Sequence, residues 1–230
     1  MAFHETYKSF YMRLFYSLLS KINYLKHISR YSYETYRAQK YYKDRNVYIA
    51  PNVQITSSAL EDNVKIFGPG RVYKSTIAKF SYVQYNSNIG YTSIGPFCSI
   101  GPNFISGMGF HYLDKLSTHP IFYEKQNLWN ISFSENNNPP VHLNTSIGAD
   151  TWIGANVFIK DGVNIGIGAV IGAGSVVVND IPDFAIYAGI PAKLIKMRFD
   201  SDKINSILES KWWSKDISEI NLYYSKFISD

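Results

Sequence analysis

The sequence predicts a mainly β chain built as a parallel solenoid of triangular coils, with helical segments at both ends and one long loop interrupting it. Three observations carry this. From Ile147 an aliphatic residue falls on every sixth position, at 147, 153, 159, 165, 171 and 177, without a miss. Between Ile105 and Ile147 that spacing stops altogether. Every glycine and proline lies beyond position 50, so the first part of the chain is compositionally distinct.

At 230 residues, 46% hydrophobic and 18% charged, the chain suffices for one large domain and excludes wholesale disorder. The net charge of +5 is uneven. Residues 1–48 hold nine Lys/Arg against Glu5, Glu34 and Asp44, and ten of the 19 tyrosines. The excess charge therefore belongs to an extension, and the remainder is near neutral. A single cysteine, Cys98, excludes a disulfide framework and a thiolate metal cage, so a reducing, cytoplasmic setting is expected. The uncharged stretch from Leu14 to Ser20 is too short to span a bilayer, and no small-residue cleavage site follows it.

The elements follow in order. In residues 1–46, Phe10, Leu14, Leu18, Ile22 and Leu25 recur every three or four positions, the pattern of an amphipathic helix. Lys8, Arg13, Lys21 and Lys26 occupy its other faces, and a Tyr/Arg-rich stretch continues to Arg45. Packing on the main body or a sister subunit is the expected role, and contact with anionic lipid headgroups is the alternative.

Residues 47–199 form the solenoid. Four of the six anchors are followed by glycine, at Gly148, Gly154, Gly166 and Gly172. Four positions after each anchor stand Thr151, Val157, Val163, Ala169, Ser175 and Ile181, mostly small or β-branched. A period of six fits neither a helix nor an alternating strand. It means a corner every six residues, three hexads to a coil and a continuous aliphatic column within. The glycines are expected where φ is positive or backbones approach closely. Ile77, Val83 and Ile89 share the phase, and Ile94 and Ile100 follow after one five-residue step. Residues 58–76 are irregular. Cys98 occupies a small inward position, which predicts a buried hydrophobe rather than a reactive thiol.

The excursion, 106–146, contains Gly107, Gly109, His111, Tyr112, Asp114, His119, Trp129, Asn136 to Asn138 and His142. A loop of this length in a compact domain points to function. The repeat is expected to end after Pro182, with Gly189-Ile190-Pro191 as a turn out of it. In 200–230, Asp200 or Ser201 can cap a helix carrying Ile204, Ile207, Leu208 and Trp212 on one side. That helix is expected to cover the solenoid's open end or to dock on a neighbour.

Three local motifs carry a family resemblance. Ile171-Gly-Ala-Gly-Ser-Val-Val, then Ala188-Gly-Ile-Pro-Ala-Lys193, resembles the end of a hexapeptide-repeat acyltransferase solenoid. Met197-Arg-Phe199 with Lys211-Trp-Trp213 is similar to the tail of the xenobiotic acetyltransferase branch. That branch holds streptogramin and chloramphenicol acetyltransferases together with sugar O-acetyltransferases of surface polysaccharides. Phe110-His111 with Ser117-Thr-His-Pro120 is similar to its catalytic loop. The resemblance spans most of the chain beyond the extension. It implies a left-handed parallel β-helix, a homotrimer, acetyl-CoA as cosubstrate and no metal. The handedness comes from the resemblance alone, because parallel crossovers are normally right-handed.

Moving an acetyl group from a thioester to a hydroxyl requires a base for the alcohol proton, and histidine suits that task at neutral pH. His111 matches the family's position and is the expected base. His119 stands where the family varies, and His142 is placed to anchor the loop. The resemblance puts the acceptor near Tyr112, Asp114 and Trp152. It puts coenzyme A along Ala155 and Ala173, where coil amides are open to a pantetheine arm. Lys160 and Lys193 are candidates for its phosphates, although a solvated lysine explains Lys160 equally well.

The expected function is direct acetyl transfer to a sugar hydroxyl of a surface polysaccharide or its precursor. An antibiotic hydroxyl and an amino sugar are the alternatives within the same chemistry. A γ-class carbonic anhydrase needs three histidines on the coils, and 147–181 has none. A purely structural solenoid would repeat identical outward residues, and these vary. The N-terminal charge forms no nucleic-acid motif, and the basic aromatic extension tips the expected acceptor toward a cell-surface saccharide.

Overall fold

Each hexad becomes a two- to four-residue strand with one side chain inward and the next outward, followed by a corner. The computed structural model describes residues 18, 21–22, 33–139 and 142–227. Coil one contains β1 (Tyr48–Ile49), β2 (Val53–Thr56) and β3 (Ala59–Leu60). Coil two contains β4 (Lys65–Ile66), β5 (Gly70–Tyr73) and β6 (Thr76–Ile77). Coil three contains β7 (Tyr82–Val83), β8 (Ser87–Gly90) and β9 (Thr92–Ile94). Coil four contains β10 (Ser99–Ile100) and β11 (Ile105–Ser106), then the excursion, then β12 (Thr145–Ile147). Coil five contains β13 (Trp152–Ile153), β14 (Phe158–Ile159) and β15 (Asn164–Ile165). The sixth coil has β16 (Val170–Ile171) and β17 (Val176–Val177), with Ile181 bridging to Ile165 on its third side. Stacked, these strands form three parallel sheets, one per side of a triangle.

The inward residues make the expected column. On the first side Ile49, Ile66, Val83, Ile100, Ile153 and Ile171 are each no more than 3% exposed. Truncating one of them, such as Ile153→Ala, removes about 2–5 kcal/mol by lost transfer and a residual cavity. In the lower coils, register partners on this side lie 17 residues apart, at Ile49, Ile66, Val83 and Ile100. Above the excursion the step is 18, from Ile153 to Ile171 and from Ile159 to Val177. The shorter coil drops one residue from a hexad each time round. For that reason 58–76 lose the six-residue phase although they hold ordinary coils.

Close approach, rather than positive φ, explains the glycines after the anchors. A Cβ on Gly154 would lie 2.6 Å from the Ala173 nitrogen of the coil above. The left-handed residues come later in each corner, at Asp150, Asn156, Gly162, Gly168 and Gly174. Inward hydroxyls then satisfy amides that the short strands leave over. Ser75 Oγ accepts from Thr92 N–H at 3.1 Å, and Ser81 Oγ accepts from Cys98 N–H at 2.9 Å. Cys98 is fully buried, and burial pushes its thiol up to about 12, so it is an inert core residue.

At the N-terminal end, residues 33–41 are helical (α1). Thr35 Oγ1 donates to the Val53 carbonyl, and Gln39 Nε2 donates to that of Ile49. The buried Tyr42 Oη accepts from Leu60 N–H. This stretch therefore closes the column while Tyr33, Tyr36 and Tyr41 remain exposed. The helix expected through Phe10, Leu14 and Leu25 lies outside the described residues. Leu18 and Ile22 are described, helical and exposed. Among the described residues no helix is long and apolar enough to cross a membrane.

At the other end pairing continues past Pro182, where the repeat was expected to end. β18 (Ala185–Gly189) pairs parallel with β16, and β19 (Ala192–Met197) returns antiparallel. Asp200 then caps α2 (Ser201–Ser210), accepting from Lys203 N–H at 2.9 Å, and α3 (Ile217–Phe227) follows. These helices run along one edge of the triangle instead of covering its end. Phe80, Phe97 and Phe184 occupy left-handed corners at φ 61°, 62° and 56°. Such a backbone costs a bulky residue about 1–2 kcal/mol. It turns the rings outward into a ladder, where Phe97 meets Trp212 at 4.9 Å and Phe184 meets Phe199 at 5.9 Å.

The excursion is bonded to a buried carboxylate where it departs, and its returning end packs beside the same group. Asp161, on the corner between β14 and β15, has a side chain only 3% exposed. Its Oδ2 accepts from Gly109 N–H at 3.0 Å. The same oxygen lies 3.5 Å from Nδ1 of His142, whose ring stacks on Tyr91 with centroids 4.1 Å apart. His142 thus anchors the returning chain. Asp161→Ala is expected to leave the Gly109 amide without its acceptor, at a cost of about 1–3 kcal/mol. Limited proteolysis with trypsin checks this, with faster cleavage expected at Lys115 and Lys125 in the variant.

Candidate active site

Within the excursion, Pro120–Phe122 form a 3-10 turn that His119 caps through Nδ1. His119 also packs on Trp129 at 4.5 Å, so its ring is engaged in holding the turn. Tyr123 ends the turn. Its N–H donates to the Pro120 carbonyl, its own carbonyl accepts from Asn138 N–H, and it is 1% exposed. Its phenol reaches the expected base, with His111 Nδ1 2.6 Å from Tyr123 Oη. The same Oη lies 3.2 Å from the Thr118 carbonyl, to which it donates. Enclosure raises the phenol above its ordinary range, with Glu124 and Tyr112 adding to the effect, so Tyr123 stays neutral.

Tyr112 packs edge-on against Tyr123 at 5.0 Å, and its hydroxyl reaches the Pro139 carbonyl. Asp114 stands exposed at the tip, between the exposed Leu113 and Leu116. His111 itself is exposed, and among the described residues its Nε2 has no hydrogen-bond partner.

A second arrangement lies on the first sheet and the corner that follows it. Tyr82, Tyr85, Trp152, Ala155 and Ala173 line an open groove of about 590 Å³. Trp152 projects from β13 and is 58% exposed. Gly154 and Gly172 form its floor. Lys193 pairs with Ala188, whose Cβ sits over Gly172, which puts the lysine strand at the groove's upper end. Lys160 is elsewhere, exposed on the corner beside Asp161. The structure thus brings Trp152, Ala155 and Ala173 together, and separately His111 and Tyr112. No hydrogen bond or ring contact joins the two groups among the described residues. No cluster of three or more His, Cys, Asp or Glu there is arranged to hold a metal ion.

Tyr123 and Asp161 were not among the residues singled out from the sequence. The signal for Tyr123 is its position just past the Ser-Thr-His-Pro segment. The signal for Asp161 is a carboxylate two positions after its anchor, where the neighbouring hexads carry Ala149, Ala155, Ile167 and Ala173.

No family model matches the chain. The probable macrolide acetyltransferase of Lysinibacillus sphaericus is 40% identical over 134 residues, covering 55% of this chain and 71% of that protein. A chloramphenicol acetyltransferase of Agrobacterium fabrum is 40% identical over 123 residues, covering 52% of this chain and 58% of the relative. One from Klebsiella aerogenes is 37% identical over 131 residues, covering 55% and 61%. The chain therefore spans about three fifths of the length of these two chloramphenicol acetyltransferases. Among solved structures, a serine-to-threonine variant of AntD, an N-acyltransferase from Bacillus cereus in complex with dTDP and coenzyme A, shares the fold. Its TM-score is 0.55 at 22% identity, covering 72% of this chain and 88% of that one. By coverage and identity to the macrolide relative, and by its coils, the chain belongs to the left-handed β-helix, hexapeptide-repeat acetyltransferases, alongside the chloramphenicol and macrolide acetyltransferases.

Proposed function

We propose that the chain transfers an acetyl group from acetyl-CoA to a sugar hydroxyl in a surface polysaccharide or its precursor. The observation that carries this reading is the exposed His111, held at Nδ1 by an enclosed phenol in a chain of this family. His111 takes the acceptor's O–H proton as that oxygen attacks the thioester carbonyl. The tetrahedral intermediate collapses, the C–S bond breaks, and the leaving thiolate takes the proton back from the imidazolium. The products are an acetyl ester and free coenzyme A, and the enzyme needs no covalent intermediate.

Coenzyme A lies along Ala155 and Ala173, with Lys193 near its phosphates, and Trp152 borders the acceptor together with Tyr112 and Asp114. Lys160 stands on another corner, away from that groove, which favours reading it as a solvated lysine. The reading includes a homotrimer, supported by the separation of His111 from the Trp152 groove within one chain. A neighbour's loop supplies the base to each groove. The exposed Tyr33, Tyr36 and Tyr41, with Arg37, Lys40 and Lys43 beside them, support contact of the extension with anionic lipid headgroups at the cytoplasmic face. The names of the sequence relatives favour a second reading, in which the acceptor is an antibiotic hydroxyl.

Three measurements test these points. His111→Ala is expected to lower turnover by about 10²- to 10⁴-fold while coenzyme A binding and oligomer size persist, and retained turnover would remove the base. A panel of neutral hexoses, glucosamine, chloramphenicol and a macrolide, assayed with acetyl-CoA, decides the acceptor. Turnover of the hexoses is expected, and turnover confined to the antibiotics overturns the saccharide reading. Co-sedimentation with phosphatidylserine vesicles, but not phosphatidylcholine vesicles, is expected at low salt. A combined Arg37→Glu, Lys40→Glu, Lys43→Glu variant should weaken it, and equal sedimentation of both proteins refutes the contact.

A further inference from the structure

We infer that Tyr123 is a positioning residue for His111. Its phenol oxygen accepts the Nδ1 proton, so neutral His111 carries its lone pair on Nε2. The inference rests on His111 as the base and adds which nitrogen acts and what selects it.

The argument is an accounting of protons. Tyr123 has one hydroxyl hydrogen and two neighbours, the Thr118 carbonyl at 3.2 Å and His111 Nδ1 at 2.6 Å. A carbonyl only accepts, so it must receive the phenol's hydrogen. The oxygen's lone pair is then left for an N–H on Nδ1. In the reverse arrangement Tyr123 would donate to Nδ1, and its oxygen would face the Thr118 carbonyl as two acceptors with no hydrogen between them. Only the first arrangement satisfies all three groups.

The setting makes this selection firm. Both backbone groups of Tyr123 are bonded, to Pro120 and Asn138, and Tyr112 packs against its ring. The phenol therefore cannot follow a swinging imidazole. Two residues before His111, the Gly109 amide is fixed to Asp161, which limits the backbone as well. When His111 takes a proton, both ring nitrogens become donors, and the Nδ1–H bond to Tyr123 is unchanged. The base thus passes between its neutral and charged forms without rearranging its partner, the condition for a preorganised site. Enclosure keeps the phenol protonated, so it orients the ring without adding a negative charge beside it.

The test reads the tautomer directly. In the full-length protein labelled with ¹⁵N-histidine, the His111 signals are assigned by their loss in His111→Ala. Neutral His111 is expected to be protonated at Nδ1, and protonation at Nε2 in the unmodified protein would overturn the inference. Tyr123→Phe is expected to shift His111 toward the Nε2-protonated form. It should also lower kcat by about 10- to 100-fold, with KM unchanged for acetyl-CoA and for the acceptor turned over fastest in the panel. The acidic limb of the pH–rate profile should move with the tautomer. Unchanged kcat, profile and tautomer in that variant would equally overturn the role. If the variant does not fold, the tautomer of the unmodified protein decides alone. Retained turnover in His111→Ala would defeat the base assignment instead, leaving the measured tautomer in place.

Discussion

Coil must stack on coil, and the backbone at the corners limits how closely that can happen. Each short strand hands its amides to the carbonyls of the next coil, as where Gly154 N–H donates to the Ile171 carbonyl at 2.8 Å. At that spacing a side chain on Gly154 would collide with the coil above, so the corner residue has no Cβ. The rest follows from the same close stack. The aliphatic column is continuous because the pitch is constant, and small hydroxyls satisfy inner corner amides such as those of Thr92 and Cys98. A cysteine can stand in that inner series, where burial keeps its thiol protonated.

An insertion into such a stack must begin and end near one point, because the coils above and below continue uninterrupted. Residues 107–144 meet this condition between β11 and β12. Their two ends converge on Asp161 of the following coil, with Tyr91 of the preceding coil beneath His142. Beyond this base the loop forms a small folded unit of its own around Tyr123. The loop's histidines divide accordingly, with His142 at the mooring, His119 in the turn and His111 held at the surface by the phenol.

How much of this could be read beforehand depends on whether the constraint was local. The upper coils were legible because every inward position answers to a fixed six-residue spacing, and Cys98 fits the same inward series. The anchoring role of His142 was legible from its closeness to the re-entry into the coils. Coils through 58–76 were not, because a 17-residue circuit shifts the phase at each turn while burying the same kinds of residue. The outward phenylalanines read as ordinary hydrophobes, since nothing in a sequence marks the left-handed corner that turns them toward Trp212. Tyr123 and Asp161 act across chain separations of 12 and 52 residues, and no periodicity reports contacts of that kind. That Ala155 and Ala173 in the groove share one corner of successive coils was legible, because one upper circuit separates them. Lys160 sits on another corner, and its distance from that groove comes from the coil's circuit rather than from its neighbours.

The change from 17 to 18 residues per circuit has a chemical consequence. The short step in a lower coil is the one between its second and third sides, from Ile89 to Ile94, and the matching step above runs from Ile159 to Ile165. The added residue therefore lies in the corner Lys160-Asp161-Gly162, directly over the point where the excursion departs. Lower coils round that corner with Tyr73-Lys74-Ser75 or Gly90-Tyr91-Thr92, which place no acid there. One residue of slack in a repeating wall thus creates an acceptor for a stray amide, and a mooring for the arm that carries His111.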